Sequence, residues 1–150
     1  MVDCDDWQIM PETFTTLDKE WGPHSYDRFA SGHNARCNRF NSRFWCPGTS
    51  GVDTFSQKWS DDINWWVPPP KLINKTIHKI VAERANGTLV LPLWRSAPFW
   101  PKVWEGSEFR QFVKEVKILP ANVVKKGKGK NGIFGKKGSR FQLAVLKIRF

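Results

Sequence analysis

Trp65-Trp66-Val67-Pro68-Pro69-Pro70 joins two segments of different hydrophobic period. Before it, Ile63 to Val67 is a short apolar run of strand length. After it, Leu72, Ile73, Ile77, Ile80 and Val81 recur at the spacing of one helix face. Each proline lacks a backbone N–H and fixes φ, so three in a row interrupt any strand or helix. The stretch is therefore a rigid turn between a buried strand and an amphipathic helix. Asn86-Gly87 closes that helix, and Thr88-Leu89-Val90-Leu91-Pro92-Leu93 follows as a continuously apolar run. Such a run fits a strand covered on both faces. Strand, helix and strand in this order are the unit of an α/β sheet.

Working towards the start, Pro11 to Trp21 reads as a helix with Phe14, Leu17 and Trp21 on one face, stopped by Gly22-Pro23. Ser25 to Phe29 reads as a short strand ending at Asp27. Residues 32–62 are rich in Gly, Asn, Ser and Asp, with aromatic islands at Phe40, Phe44-Trp45 and Phe55. This is read as a long irregular excursion with room for one edge strand. Working towards the end, Trp104 to Phe112 reads as a short helix, Val113 to Leu119 as a strand, and Phe141 to Phe150 as a long terminal strand. The last two strands are expected to pair antiparallel. The expectation is one domain over residues 1–150, with an α/β sheet, helices on both faces and a C-terminal antiparallel strand pair.

A chain of 150 residues with nine Trp and eleven Phe can bury a sizeable core. No apolar run approaches the ~20 residues needed to cross a bilayer. The acidic start Met1-Val2-Asp3-Cys4-Asp5-Asp6 is not a signal peptide. An intracellular place, nuclear or cytoplasmic, is expected, with no membrane partner. Cys4, Cys37 and Cys46 cannot all pair, which suits a reducing compartment. His33, Cys37 and Cys46 lack paired metal-ligand spacing and a fourth ligand, so no metal is expected.

The net charge of +10 is unevenly spread. Lys125, Lys126, Lys128, Lys130, Lys136, Lys137 and Arg140 crowd one segment, 125–140, that holds no acid and is interleaved with glycines. A basic loop of this kind suits phosphate tracking, with DNA the favoured partner. The competing reading is a solvated loop that only aids solubility.

Ligands of open α/β sheets sit beyond the carboxyl ends of strands, where the strand order reverses. Asp27 and the Pro68-Pro69-Pro70 turn fall at such ends. An acidic residue there commonly holds a ribose hydroxyl or an ammonium group. The plainer alternative is a capping or salt-bridged carboxylate.

An ordered set of short stretches is more specific than any member. Trp7, Pro11-Glu12-Thr13-Phe14, Leu17-Asp18, Gly22, Tyr26-Asp27-Arg28-Phe29-Ala30-Ser31, Asn34-Ala35-Arg36-Cys37, Arg39-Phe40, Trp59 and Val67-Pro68-Pro69-Pro70 occur in sequence. In order and spacing they resemble the phage-type DNA N6-adenine methyltransferase family over about residues 7–150. The resemblance implies a Rossmann-like methyltransferase sheet and S-adenosylmethionine as cofactor. It implies that Asp27, Ala30 and Asn34 line the cofactor pocket, and that Val67, Pro68, Pro69 and Pro70 form the turn facing the target base. That family carries Asn-Pro-Pro-Tyr at the turn. There the amide accepts a hydrogen bond from the target amino group and the ring stacks on a flipped base. Val67 and Pro70 replace both groups. Trp65 or Trp66 is a candidate replacement for the stacking face, whereas Asn64, three residues early, is expected on the opposite side of its strand from Val67.

Asp27-Arg28-Phe29-Ala30-Ser31, Val52-Asp53-Thr54-Phe55-Ser56-Gln57-Lys58-Trp59 and Ser96-Ala97-Pro98-Phe99-Trp100-Pro101 further resemble a module of DIRS-like, tyrosine-recombinase retrotransposon polyproteins. Three readings follow. One is a catalytically degenerate methyltransferase fold that binds nucleic acid through its basic loop. Another is an active S-adenosylmethionine-dependent enzyme with an unusual motif. The third is a structural spacer that packs against neighbouring reverse transcriptase, RNase H or recombinase domains.

Overall fold

Two helices flank the sheet, and each starts where proline permits. The computed structural model describes residues 7–30, 34–120, 124–126 and 142–150, with backbone alone at 7, 8 and 124–126. Helix α1 (Pro11–Trp21) takes Pro11 at its first position, where no intrahelical N–H bond is lost, and buries Leu17 and Trp21. The turn Pro70–Leu72 leads into α2 (Ile73–Glu83), which buries Ile73, Thr76, Ile77 and Ile80. Helix α2 stops before the Asn86-Gly87 pair expected to close it. Arg84 caps it in the left-handed conformation, φ 51°, with its N–H on the carbonyls of Ile80 and Val81. Asn86 and Gly87 instead begin a strand. A Cβ on Gly87 would lie 2.3 Å from the Asn64 carbonyl oxygen and 2.6 Å from the Trp66 ring, so glycine is required by close approach of the next strand.

The main sheet comprises β2 (Tyr26–Ala30), β3 (Arg39–Ser42), β4 (Gly51–Val52), β5 (Ile63–Trp66), β6 (Asn86–Pro92), β9 (Val113–Pro120) and β11 (Gln142–Ile148). Its order is β4-β3-β2-β5-β6-β11-β9. The first five are parallel, and β11 runs antiparallel between β6 and β9. The strand order therefore reverses between β2 and β5. The expected antiparallel pairing of the last two long strands is present as β9 with β11.

Alternation along β5, β6 and β11 distributes the core over two faces. Trp65, Val67, Val90, Leu143 and Val145 pack with Leu17 and Trp21 of α1. Trp66, Leu89, Leu91, Ala144, Leu146 and Ile148 pack with Ile73, Ile77 and Ile80 of α2. The helices thus cover opposite faces.

Three sequence expectations need correction. The strand at Asp27 continues three residues beyond it, to Ala30. Residues 32–62 hold two parallel strands, β3 and β4, and only β4 is an edge. The expected helix Trp104–Phe112 is a tight hairpin of β7 (Trp104–Glu105) and β8 (Glu108–Phe109). Gly106 at φ 65° supplies its turn, and Trp104 packs edge-on against Phe109 at 4.9 Å. A separate pair joins β1 (Trp7–Ile9) to β10 (Val124–Lys126), antiparallel.

Candidate functional site

The reversal between β2 and β5 places a crevice at their carboxyl ends. Ile9, Asp27, Phe29, Asn34, Arg36, Trp65 and Val67 line a pocket of about 10 Å³, the room of one water molecule. Asp27 and Asn34 therefore meet Val67 from a distant stretch of the chain. Ala30 ends β2 half-buried, and Pro68 is buried while Pro69 and Pro70 are half-buried along the turn; none of these four is among the lining residues.

Asp27 is 3 % exposed and held by backbone. One carboxylate oxygen accepts the Phe29 N–H at 3.2 Å and the other accepts the Arg36 N–H at 2.9 Å. These bonds fasten the short connection between parallel strands β2 and β3. Burial pushes the carboxyl pKa up to about 6, against the opposing pull of the two N–H donors and the Arg36 charge. The Arg36 guanidinium donates to the Ile9 carbonyl at 3.2 and 2.9 Å, which ties β1 to this corner. Burial, with Asp27 and Asp18 adding to it, pushes the Cys37 thiol up to about 12, so Cys37 carries no thiolate at neutral pH.

Val67 occupies the position that the resemblance gives to the acceptor. It is 4 % exposed and packs among Ile9, Leu17, Trp65 and Val90. Trp65 and Trp66 do not offer the exposed stacking face considered from sequence, being 1 % and 0 % exposed. Trp65 sits edge-on to Phe14 at 4.8 Å and to His24 at 5.2 Å, while Trp66 lies 5.6 Å from Trp59 on the other side of the sheet. Asn64 also lies on that other side. Its side chain accepts from Arg28 Nε at 2.7 Å and donates to the carbonyls of Trp59 and Asn86.

Two buried polar clusters had no signal in the sequence. Arg28, 1 % exposed, donates to Asn64, Asn41 and the Lys58 carbonyl, meets Asp62 at 3.3 Å and lies 3.5 Å over the Tyr26 ring. This satisfied network braces β2, β3 and β5. His24 bridges Asp18 and Thr88, with 2.7 Å to each. An acid, an imidazole and a hydroxyl in line resemble a nucleophilic triad. Thr88 is 0 % exposed, however, and no substrate reaches it. Burial lowers the His24 pKa despite Asp18, and the cluster pins α1 to β6.

Of the basic segment, Lys125 and Lys126 belong to the backbone of β10. Lys128, Lys130, Lys136, Lys137 and Arg140 lie outside the described residues, as do Cys4 and His33. β9 runs parallel to β6, and its end at Pro120 and the start of β11 at Gln142 both lie at the carboxyl edge of the parallel strands. Among the described residues no cluster of metal-ligating side chains occurs, and no helix is long and apolar enough to cross a membrane.

A mixed sheet whose order reverses beside a buried carboxylate defines a protein of the α/β, ligand-crevice class. Within that class, the family model described as DNA N-6-adenine-methyltransferase (Dam) matches residues 2–139, and the chain belongs to that family. No curated protein matches it. The family uses S-adenosylmethionine as methyl donor and acts on DNA. The crevice formed by the described residues measures about 10 Å³, and each Asp27 oxygen accepts one backbone N–H.

Proposed function

We propose that this chain is a Rossmann-like, methyltransferase-type domain that binds DNA without methylating it, within a DIRS-like retroelement or a gene derived from one. The observation that carries this reading is Val67. An adenine amino group has to be met by a hydrogen-bond acceptor as its nitrogen attacks the methyl donor, and the isopropyl group of Val67 accepts nothing. Pro70 lacks the aromatic face that would hold a flipped base. The small crevice that the described residues form beside Asp27 and Asn34 supports loss of cofactor binding. DNA contact is assigned to Lys125, Lys126, Lys128, Lys130, Lys136, Lys137 and Arg140. The segment bearing them departs from the edge at which a methyltransferase of this family meets its substrate. The retroelement setting rests on the three stretches that resemble such polyproteins.

The test is incorporation of labelled methyl groups from S-adenosylmethionine into adenine-containing duplex DNA, paired with DNA affinity measured against salt. The expected result is no incorporation above a boiled control, together with sequence-tolerant binding that weakens steeply with salt. Replacing Lys125, Lys126, Lys128 and Lys130 with Gln should flatten the log–log salt slope by about 3 to 4, at about 0.9 per phosphate contact. Methyl incorporation overturns the inactive reading. An unchanged slope overturns the assignment to the basic segment.

A further inference from the structure

Phe44 and Trp45 stand out of a loop that is otherwise tightly tied. They are 62 % and 75 % exposed, and Trp45 is the most exposed large hydrophobic residue among those described. Their connection, residues 43–50, follows β3, whose carboxyl end lies level with that of β2 through the pairing of Ser42 with Ala30. The rings therefore emerge at the edge that holds the crevice, one strand spacing (about 4.8 Å) over from β2.

The loop beneath them is fixed by its own polar groups. The Ser42 hydroxyl donates to the Phe44 carbonyl at 2.7 Å and lies 2.7 Å from the Thr49 hydroxyl. The Thr49 N–H donates to the Cys46 carbonyl at 3.1 Å, and the Ser50 N–H to Phe40 at 2.8 Å. Gly48, at φ 86°, makes the reversal and lies against the Phe40 ring. The Arg43 guanidinium stands 5.3 Å over the Phe44 ring. Two aromatic faces and a cation on a braced loop cost little entropy to engage, because the backbone is ordered beforehand.

We infer that Phe44 and Trp45 form a stacking platform for unpaired bases of single-stranded DNA. Stacked bases suit flat aromatic faces, and a strand's phosphates suit Arg43 and a chain of net charge +10. An apolar protein partner would gain nothing from that charge. The inference rests on the proposed DNA binding and adds the form of DNA preferred, an unpaired strand over a duplex.

The experiment measures binding of the full chain to a fluorescent thymidine oligonucleotide, to the same length of abasic strand, and to a duplex, for wild type and for Phe44→Ala/Trp45→Ala. Each stacked base lost by alanine substitution weakens binding by about 5-fold or more. The double variant should thus lose about 25-fold or more on the thymidine strand and little on the abasic strand or the duplex, with an unchanged salt slope. Both side chains are exposed, so the fold is retained, which circular dichroism checks. Equal affinity of variant and wild type for the thymidine strand overturns the platform while leaving DNA binding intact. An equal loss on the abasic strand overturns stacking in the same way. Failure of the wild type to bind any of the three overturns both this inference and the reading beneath it.

Discussion

Asp27 makes the stability of this fold depend on pH in an unusual direction. Its carboxyl has a pKa of about 6 when folded, against an ordinary 3.8. Below about pH 4 both folded and unfolded chains hold the proton. Between about 4 and 6 the unfolded chain has released it and the folded chain keeps it, so the folded state binds more protons and stability falls as pH rises. Above about 6 both are ionised and the penalty is constant. Two units at ~1.4 kcal/mol each amount to about 3 kcal/mol. The perturbation is Asp27→Asn, which removes the titration, keeps the shape and retains one acceptor for the Arg36 N–H. Losing the second acceptor shifts the variant's stability by a constant, and every other titrating group cancels in the difference. Urea unfolding of both proteins in steps from pH 4 to 7.5 reads that difference. Wild type should lose about 3 kcal/mol relative to the variant, with the change confined to the window between about 4 and 6. A flat difference would refute the reasoning, because it would mean that backbone donors and Arg36 fully offset burial.

Gly87→Ala should destabilise by about 3 kcal/mol or more, since the new methyl meets the Asn64 carbonyl rather than a yielding side chain; a melting temperature within a degree or two of wild type would contradict this. Trp59→Phe and Trp66→Phe make the same change at two sites of 0 % exposure. Trp59 Nε1 donates to the Thr54 carbonyl at 3.0 Å, whereas Trp66 Nε1 is buried without a partner among the described residues. Trp59→Phe should therefore cost about 2 kcal/mol more than Trp66→Phe in urea unfolding, and equal costs would show that the Trp66 indole is satisfied in solution.

The elements legible in the sequence were those written in hydrophobic period and proline. Pro11 and the Phe14, Leu17, Trp21 spacing mark α1, and the apolar runs on either side of the triproline mark β5 and β6. β3 and β4 escaped because they are short and anchored by polar bonds. Asn41, 1 % exposed, joins Arg28 and Tyr26, and no apolar alternation announces it. The β7–β8 hairpin escaped because Trp104, Phe109 and Phe112 imitate a helix face, while the deciding signal was Gly106-Ser107 between them. At the crevice, Asp27, Asn34 and Val67 were found by their order along the chain. Ile9 and Arg36 were not, because a carbonyl receiving a guanidinium leaves no trace in residue type.

β11 is an interior strand of the sheet, although residues 142–148 leave the ribosome after the other described strands. About 50 residues separate it from β6, so at about 5–20 residues per second the edge of β6 waits roughly 3 to 10 s for its neighbour. That edge carries Leu89, Val90 and Leu91, each 1 % exposed or less once the fold is complete. During those seconds it is an open template for strand addition by another nascent chain. Yield during biosynthesis should therefore respond to chaperone supply and to translation speed between codons 93 and 141, even where the stability of the finished fold does not.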